Sequence, residues 1–394
     1  MKYRRYGRTE IEMPVITCGG MRFQQSWSDM PMEEIKRGGQ ANLEAAIRFS
    51  LEVGANHIET ARGYGTSEMQ LGQVLPRLNR EELILQTKVC PEEDAKVFLE
   101  NFEKSMAYLK TDYVDLFSIH GINNQELLDW TLRDGGCMEV ALKLKEQGRV
   151  RHIGYSTHAS EKVICAANAS NAFDYCNVHW YFVNELNWEA IEVAAGNDMG
   201  VFIISPNDKG GKLYEPSEKL VELCGDLHPM QWNALFCLSR PEVHTLSMGV
   251  SCPQDFDTHL EMLDHYDNAY EVMAPIERKL RAELEKTHGS DWCAGWWKGL
   301  PEWDELPKGV NVKEILRLWT YAKALDLVPW GKMRYNLLGN AGHWFPGEKV
   351  SDYDRGEMKE KLNGSPFADR IPDILEEAHE MFNDVEVKRL SQSD

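Results

Sequence analysis

The stretch from His57 to Leu75, HIETARGYGTSEMQLGQVL, gathers a carboxylate (Glu59), a guanidinium (Arg62) and a phenol (Tyr64) at one Gly-rich turn. Its first four residues read as the end of a short buried strand, and the residues from Ser67 onward as a helix with Ser67 as N-cap. Two more groups stand at the ends of later apolar runs, Lys88 in LILQTKV and His120 in VDLFSIH. Together these types make a tuned acid. A free phenol has a pKa of about 10, too high for ready proton donation at neutral pH. A neighbouring ammonium stabilises the phenolate and lowers that value. A carboxylate beside the Lys keeps the ammonium charged and in place, and an imidazole orients a carbonyl oxygen or shares its proton with the phenol. Such an acid protonates an oxygen that is gaining negative charge, which suits carbonyl reduction with hydride from a cofactor. The same residues admit two other readings. Glu59 and Arg62 could form a structural ion pair in a loop, or Lys88, if neutral, could form a Schiff base. The Glu partner counts against the second, because it raises the Lys pKa.

Short apolar runs that alternate with amphipathic stretches position these groups. Candidate strands are Val15-Cys18, Asn56-Thr60, Leu83-Lys88, Val114-His120, His152-Ser156, Asn177-Trp180, Val201-Pro206 and His244-Val250. Helix-period segments separate most of them, including Asn42-Val53, Ser67-Leu75, Ala95-Leu109 and Pro229-Leu238. This rhythm means βαβ units and a parallel sheet, and eight of them fit a closed (β/α)₈ barrel. No G-x-G-x-x-G follows the first strand, which argues against an open doubly wound sheet. The opening MKYRRYGRTEIEMP reads as a hairpin, Tyr3-Tyr6 and Glu10-Met13 about Gly7-Arg8-Thr9, that would plug the barrel bottom. Glu59, Lys88, His120, Ser156-Thr157, His179 and Ser205 all lie at or just past strand C-termini, the face on which barrel active sites are built. Ser205-Pro206-Asn207-Asp208-Lys209-Gly210-Gly211-Lys212 adds a Lys and exposed backbone N–H groups of the kind a pyrophosphate needs.

Composition narrows the class. A formal net charge of -20 argues against nucleic acid or an anionic membrane as partner. The N-terminus lacks the apolar region of a secretory signal, and no run reaches the length of a membrane span. The nine cysteines are scattered and form no C-x-x-C pair, so neither a disulfide framework nor a metal site is expected. A reducing, cytoplasmic setting is the expectation.

The rhythm changes after Asp267. Residues 1–266 read as the barrel, and 267–394 as a mainly helical extension containing HGSDWCAGWWKGLPEWDELPKG and KMRYNLLGNAGHWFPGEKV. Its tryptophans, Trp292, Trp296, Trp297 and Trp303, read as packing groups, with a protein-partner interface as the alternative.

In this order the residues resemble the aldo-keto reductase superfamily, from about Lys2 to Glu261. The family's D-T-A-x-x-Y-G-x-S-E appears as Glu59-Thr60-Ala61-Arg62-Gly63-Tyr64-Gly65-Thr66-Ser67-Glu68. Its third-strand Lys matches Lys88, its fourth-strand His matches His120, and Gly148 to Ser156 carries a further signature. The resemblance implies an NADP(H)-dependent oxidoreductase acting on a small carbonyl substrate. Tyr64 would be the general acid, Lys88 its partner, His120 the carbonyl orienter and Glu59 the tetrad carboxylate. Cofactor contacts would fall on Gly20, Met21 and Arg22 beside the nicotinamide ribose. Ser156, Thr157 and His179 would face the nicotinamide amide, and Ser205, Lys209, Gly210 and Gly211 the pyrophosphate. Ser251 and Asp255 would lie at the adenosine phosphate.

Three departures stand out. Glu59 replaces the family's Asp, and a shift of about an ångström in such a pair can cost ~10²-fold in rate. Asp255 stands where an Arg usually pairs the 2′-phosphate, so NADH becomes the alternative cofactor. The extension resembles that of a subgroup whose tail carries ferredoxin-like cysteine clusters. Here it holds only Cys293, so no iron–sulfur cluster is expected. A nicotinamide-binding sensor or scaffold with little catalysis is the competing function.

Overall fold

The computed structural model describes residues 1–384. Tyr3–Arg5 (β1) and Glu12–Pro14 (β2) form an antiparallel pair. Eight parallel strands follow: Ile16–Gly19 (β3), His57–Glu59 (β4), Ile84–Val89 (β5), Val114–His120 (β6), Val150–Ser156 (β7), Tyr175–Val178 (β8), Gly200–Ile203 (β9) and Thr245–Gly249 (β10). They close in the order β10-β3-β4-β5-β6-β7-β8-β9, which is the (β/α)₈ barrel. The pair β1–β2 is narrower than the hairpin read from sequence, because Gly7–Thr9 turns as a 3₁₀ segment between its strands. The Tyr6 ring packs with Met13, Ile84, Leu116, Tyr175 and Phe202. Ile84 and Tyr175 open their strands, so this ring fills the N-terminal end of the barrel.

Helices Arg37–Glu52 (α1), Ser67–Leu71 (α2), Ala95–Leu109 (α3), Gln125–Leu132 (α4), Cys137–Glu146 (α5), Glu161–Ala169 (α6) and Trp188–Gly196 (α7) run between these strands. In α3, Asp94 caps the N-terminus by accepting from the Lys96 N–H, and the left-handed Lys110 ends the helix. Phe98, Phe102, Ser105, Met106 and Leu109 form its buried stripe at helical spacing, with Phe98 and Phe102 against Phe117 of β6. Burying each ring contributes about 1.5–3 kcal/mol.

Helix α2 differs from its sequence reading. It ends at Leu71, and its N-cap is Thr66 without a side-chain cap bond. The Ser67 hydroxyl is used elsewhere, donating to the Gly20 carbonyl at 2.9 Å and lying 2.9 Å from the Thr60 hydroxyl. Strand β8 also begins and ends two residues earlier than read. The Asp174 carboxylate accepts from the Ile153 N–H at 2.9 Å and fixes the strand start, and Tyr181 and Asn184 already pair across a turn.

The chain separates into two compact units. The first holds Met1–Pro206 and Asn233–Ala269, and the second holds Asn207–Trp232 with 270–384. Glu218–Cys224 (α8) lies in the second unit, Pro229–Leu238 (α9) runs from the second into the first, and Asp257–Glu261 (α10) returns in the first. The second unit continues through Ala269–His288 (α11), Ser290–Cys293 (α12), Val312–Leu325 (α13), Val328–Tyr335 (α14), Arg355–Lys361 (α15) and Ile371–Phe382 (α16). Helix α13 is almost wholly buried. The Trp292 indole donates to the Thr320 hydroxyl at 3.0 Å, and its ring meets Trp319 edge-on. Segment 207–232 groups with this unit because Ser217 donates to the Leu325 carbonyl at 2.8 Å and the Trp330 indole to the Lys209 carbonyl at 3.0 Å.

Candidate active site

Three strand ends and one turn bring Glu59, Lys88, His120 and Tyr64 together, all buried. Backbone bonds tie the turn to β5: the Thr60 N–H donates to the Gln86 carbonyl at 2.9 Å and the Arg62 N–H to the Lys88 carbonyl at 2.8 Å. Gly65, at φ +52, completes the turn, and a Cβ there would stand 1.8 Å from the Ser26 carbonyl oxygen. Only glycine fits both the left-handed backbone and that approach.

The Lys88 ammonium donates to the Tyr64 phenol oxygen at 3.1 Å and to the Thr60 carbonyl at 2.9 Å, and it ion-pairs with Glu59. Tyr64 in turn donates to Glu59 Oε1 at 3.3 Å. The His120 ring meets the Tyr64 ring edge-on, 5.6 Å between centroids. Cys90 Sγ lies 3.9 Å from His120 Nδ1. Phenol, ammonium and carboxylate thus form a closed triangle, with the imidazole against the phenol ring.

The electrostatics depart from the sequence expectation in two respects. Burial pushes the Tyr64 phenol upward, with Cys90 adding to it, rather than leaving it lowered by Lys88. Burial likewise pushes Lys88 well below its ordinary range, against the expectation that its Glu59 partner raises it. The physical reason is the company Lys88 keeps. Its charge is already shared with Glu59, so its pull on the phenol is weaker than the cost of desolvating a phenolate. Tyr64 is therefore a phenol that keeps its proton. An alkoxide, being far more basic than a phenolate, still takes that proton readily.

The remaining sequence candidates divide. Gly20, Met21 and Arg22 lie in a 3₁₀ turn following β3. Arg22 donates to the Gly249 carbonyl and to Asp255 Oδ2, each at 2.9 Å. The same Asp255 oxygen accepts from the Ser251 N–H at 2.7 Å and its hydroxyl at 2.9 Å. Burial alone would raise Asp255, but the Ser251 N–H and Arg22 outweigh it and hold the carboxyl below its usual range. Ser156 Oγ accepts from the Gly121 N–H at 3.1 Å. The Thr157 hydroxyl is already engaged, donating to the Ile122 carbonyl after β6 at 2.6 Å and accepting from the Ala159 N–H. His179 Nδ1 lies 3.1 Å from the Ile204 carbonyl, and the ring packs on His158. Ser205 adopts φ +53. Lys209, Gly210 and Gly211 lie in the second unit, where Lys209 is electrostatically coupled to Glu314. Arg62, which read as a member of a structural ion pair, is structural: it bonds to Asp29 and to buried Glu68 and covers the Tyr108 ring.

Sequence reasoning missed Asn177. Tyr175 points into the barrel, where its hydroxyl lies 2.9 Å from Ser118 Oγ, so Asn177 two residues on faces inward too. It is fully buried, and neither its amide nitrogen nor its oxygen has a hydrogen-bond partner among the described residues. A buried carboxamide with donor and acceptor both unspent costs free energy and calls for an explanation. The alternation Tyr175-Cys176-Asn177 was the available signal.

Among the described residues no group of three or more His, Cys, Asp or Glu side chains is placed to hold a metal ion, and all nine cysteines are free thiols. No described helix is long and apolar enough to cross a membrane.

Residues 15–263 match the Aldo/keto reductase family. The uncharacterized oxidoreductase YqkF of Bacillus subtilis is 21% identical over 326 residues, which are 74% of this chain and 100% of that protein. The methylglyoxal reductase DkgB of Salmonella typhimurium is 32% identical over 133 residues, 32% of this chain and 48% of that one. Among solved structures, the aldo-keto reductase of Klebsiella pneumoniae in complex with NADPH superposes with a TM-score of 0.53 at 17% identity, covering 73% of this chain and 95% of that one.

Proposed function

We propose that this chain, which belongs to the Aldo/keto reductase family and is an NAD(P)H-dependent oxidoreductase, reduces a small aldehyde or ketone with Tyr64 as its general acid. The observation that carries the reading is the Lys88–Tyr64 contact of 3.1 Å inside a buried cluster closed by Glu59 and flanked by His120. When bound, a reduced nicotinamide supplies the hydride. The chain's own residues do the rest. His120 steers the carbonyl oxygen toward Tyr64, and Tyr64 gives up its proton as negative charge builds on that oxygen. Lys88 stabilises the phenolate left behind, and Glu59 keeps Lys88 in place.

The residues present fit a nicotinamide. Asn177 offers a buried, unspent donor and acceptor, the complement of a carboxamide. We add it to Gly20, Met21, Arg22, Ser156, Thr157 and His179 as a proposed cofactor contact, with Ser205 proposed for the pyrophosphate. Asp255 spends its charge on Arg22, so a 2′-phosphate would compete with that carboxylate for the same guanidinium. NADH is the expected tighter ligand. That the relative from Salmonella is named for methylglyoxal supports a small carbonyl as substrate.

The test is oxidation of NADH and NADPH over a panel of aldehydes and ketones. Tyr64→Phe should lower kcat by ~10²–10⁴-fold with cofactor affinity kept, the range a positioned acid contributes. Wild-type protein that binds cofactor and turns over nothing on the panel would overturn the reading and leave the sensor alternative.

A further inference from the structure

Beneath the cluster lies a second layer of side chains that the proposed chemistry does not use. Its members are Thr245, Thr17, His57, Gln86, Ser118 and Tyr175, each fully buried. From Thr17 to Tyr175 they form one hydrogen-bonded chain around the barrel interior, with Thr245 flanking its end. Thr245 and Thr17 hydroxyls are 3.0 Å apart, and Thr17 Oγ1 lies 2.7 Å from His57 Nδ1. His57 Nε2 lies 2.9 Å from Gln86 Oε1, and Gln86 Nε2 donates to Ser118 Oγ at 2.9 Å. Ser118 and Tyr175 hydroxyls close the chain at 2.9 Å. Its members stand on five of the eight strands, and the flanking Thr245 on a sixth. On β7 the corresponding position is Gly154, where a Cβ would stand 2.5 Å from the Tyr175 ring, so its absence lets that ring reach over to Ser118.

The one carboxamide in the chain sets the directions on either side of it, while Thr245 donates to the Pro14 carbonyl at 2.6 Å and only flanks Thr17. Gln86 donates through nitrogen, so its oxygen accepts from His57 Nε2–H, and His57 Nδ1 accepts from Thr17. That tautomer requires a neutral ring, and burial indeed pushes His57 down to about 3. Barrel interiors are ordinarily filled by Val, Ile and Leu. A polar layer adds little stability over such a filling, since each group pays for its desolvation before its bond returns anything. What directional bonds supply, and apolar packing does not, is a fixed register between neighbours.

The position of the layer says what that register serves. His57, Gln86, Ser118 and Tyr175 stand two residues before Glu59, Lys88, His120 and Asn177 on the same strands. Residues i and i+2 share a face and are separated by about 6.6 Å of strand rise. The strands that carry Glu59, Lys88, His120 and Asn177 therefore have their heights fixed one layer below, whereas β7, which carries Ser156, has Gly154 there.

We propose that the Thr17–His57–Gln86–Ser118–Tyr175 chain is a set of positioning residues that locks the relative heights of Glu59, Lys88 and His120 for proton delivery. The inference rests on the function proposed above. Gln86 is its centre, since it alone links the Glu59 strand to the His120 strand.

The test is Gln86→Met, which keeps the volume and removes both links. The expected result is a kcat lower by ~10- to 100-fold and an increased isotope effect with 4-deuterated cofactor. Cofactor affinity and thermal midpoint should stay near wild type. Gln86→Glu supplies the rescue. Protonated, it can accept from His57 and donate to Ser118 as Gln does, whereas ionised it cannot donate, so its kcat should approach wild type only toward acid pH. If Gln86→Met does not fold, Ser118→Ala removes the bonds to Gln86 and Tyr175 but leaves His57–Gln86 in place, and should show the same kcat loss in weaker form. Folded Gln86→Met or Ser118→Ala protein with wild-type kcat overturns the proposal, as does a loss confined to cofactor affinity. Wild-type turnover on the carbonyl panel separates the two readings, since its absence refutes the function. In that event a crystal structure of Gln86→Met decides the inference by itself: unchanged relative positions of Glu59, Lys88 and His120 overturn it, and displaced ones support it.

Discussion

Shortening Glu59 to Asp tests how the cluster sets the direction of the reaction. In the present geometry Glu59 reaches both Lys88 and the phenol, with Oε1 3.3 Å from Tyr64 Oη. Removing one methylene withdraws the carboxylate by about 1.5 Å. The Lys88 ammonium, on its flexible stem, can follow it. The phenol cannot, and its separation from the carboxylate opens to roughly 4–5 Å, beyond hydrogen-bond reach. A hydrogen bond to a charged group is worth about 1.5–3 kcal/mol, which corresponds to about one to two pKa units. The sign follows from which form the bond favours. A carboxylate accepting from the phenol stabilises the protonated form, so its retreat lowers the Tyr64 pKa from its burial-raised position. Carbonyl reduction uses the phenol and alcohol oxidation uses the phenolate. The pH–kcat/KM profile for alcohol oxidation by Glu59→Asp should therefore rise about one to two pH units earlier than wild type. Oxidation at a fixed mildly alkaline pH should increase by ~10-fold or more. An oxidative profile that stays in place, or moves alkaline, would refute the reasoning and leave Glu59 as a partner of Lys88 alone.

Other outcomes follow from the same structure. Asp255→Asn frees Arg22 from its ion pair, and fluorescence titration should show NADPH affinity rising by about tenfold relative to NADH, as expected for one charge-assisted contact regained. His57, neutral in the fold with its pKa pushed down to about 3, must stay unprotonated while the unfolded chain binds a proton below about 6.5. Stability therefore falls as pH drops below that point, by roughly 2 kcal/mol from this residue at pH 5. Urea midpoints at pH 5 and pH 8 should differ accordingly, and by less in His57→Gln.

The barrel was legible because eight short apolar runs and their intervening amphipathic stretches force βαβ units. What the periodicity could not place was the ends. β8 starts at Tyr175 because Asp174 anchors it through the Ile153 N–H, a tertiary bond with no sequence signature. The residue types that could do acid chemistry were legible too, since Glu59, Tyr64, Lys88 and His120 announce themselves by type and strand-end position. Their electrostatics were not. Raising or lowering the Tyr64 pKa is a contest between burial and Lys88, and burial is a property of the folded chain. Asn177 was passed over for His179 because the strand was read two residues late, which put Asn177 at its start and His179, on the same face, near its C-terminal end. The grouping of 207–232 with the helices after 270 was likewise invisible, because it depends on single bonds such as that from Trp330 to Lys209.

The closing seam of the barrel has a consequence for how the chain is made. β10 pairs with β3 in parallel, and Thr17 meets Thr245 across 228 residues of sequence. Until β10 leaves the ribosome, β3 and β9 are open edges with unpaired backbone groups, and the whole of 207–232 must be synthesised before the last strand arrives. Closure is thus a late, high-contact-order event, slow in principle and exposed to edge-to-edge association meanwhile. A nascent chain stalled before Thr245 would be a sheet still waiting for the strand that turns it into a barrel.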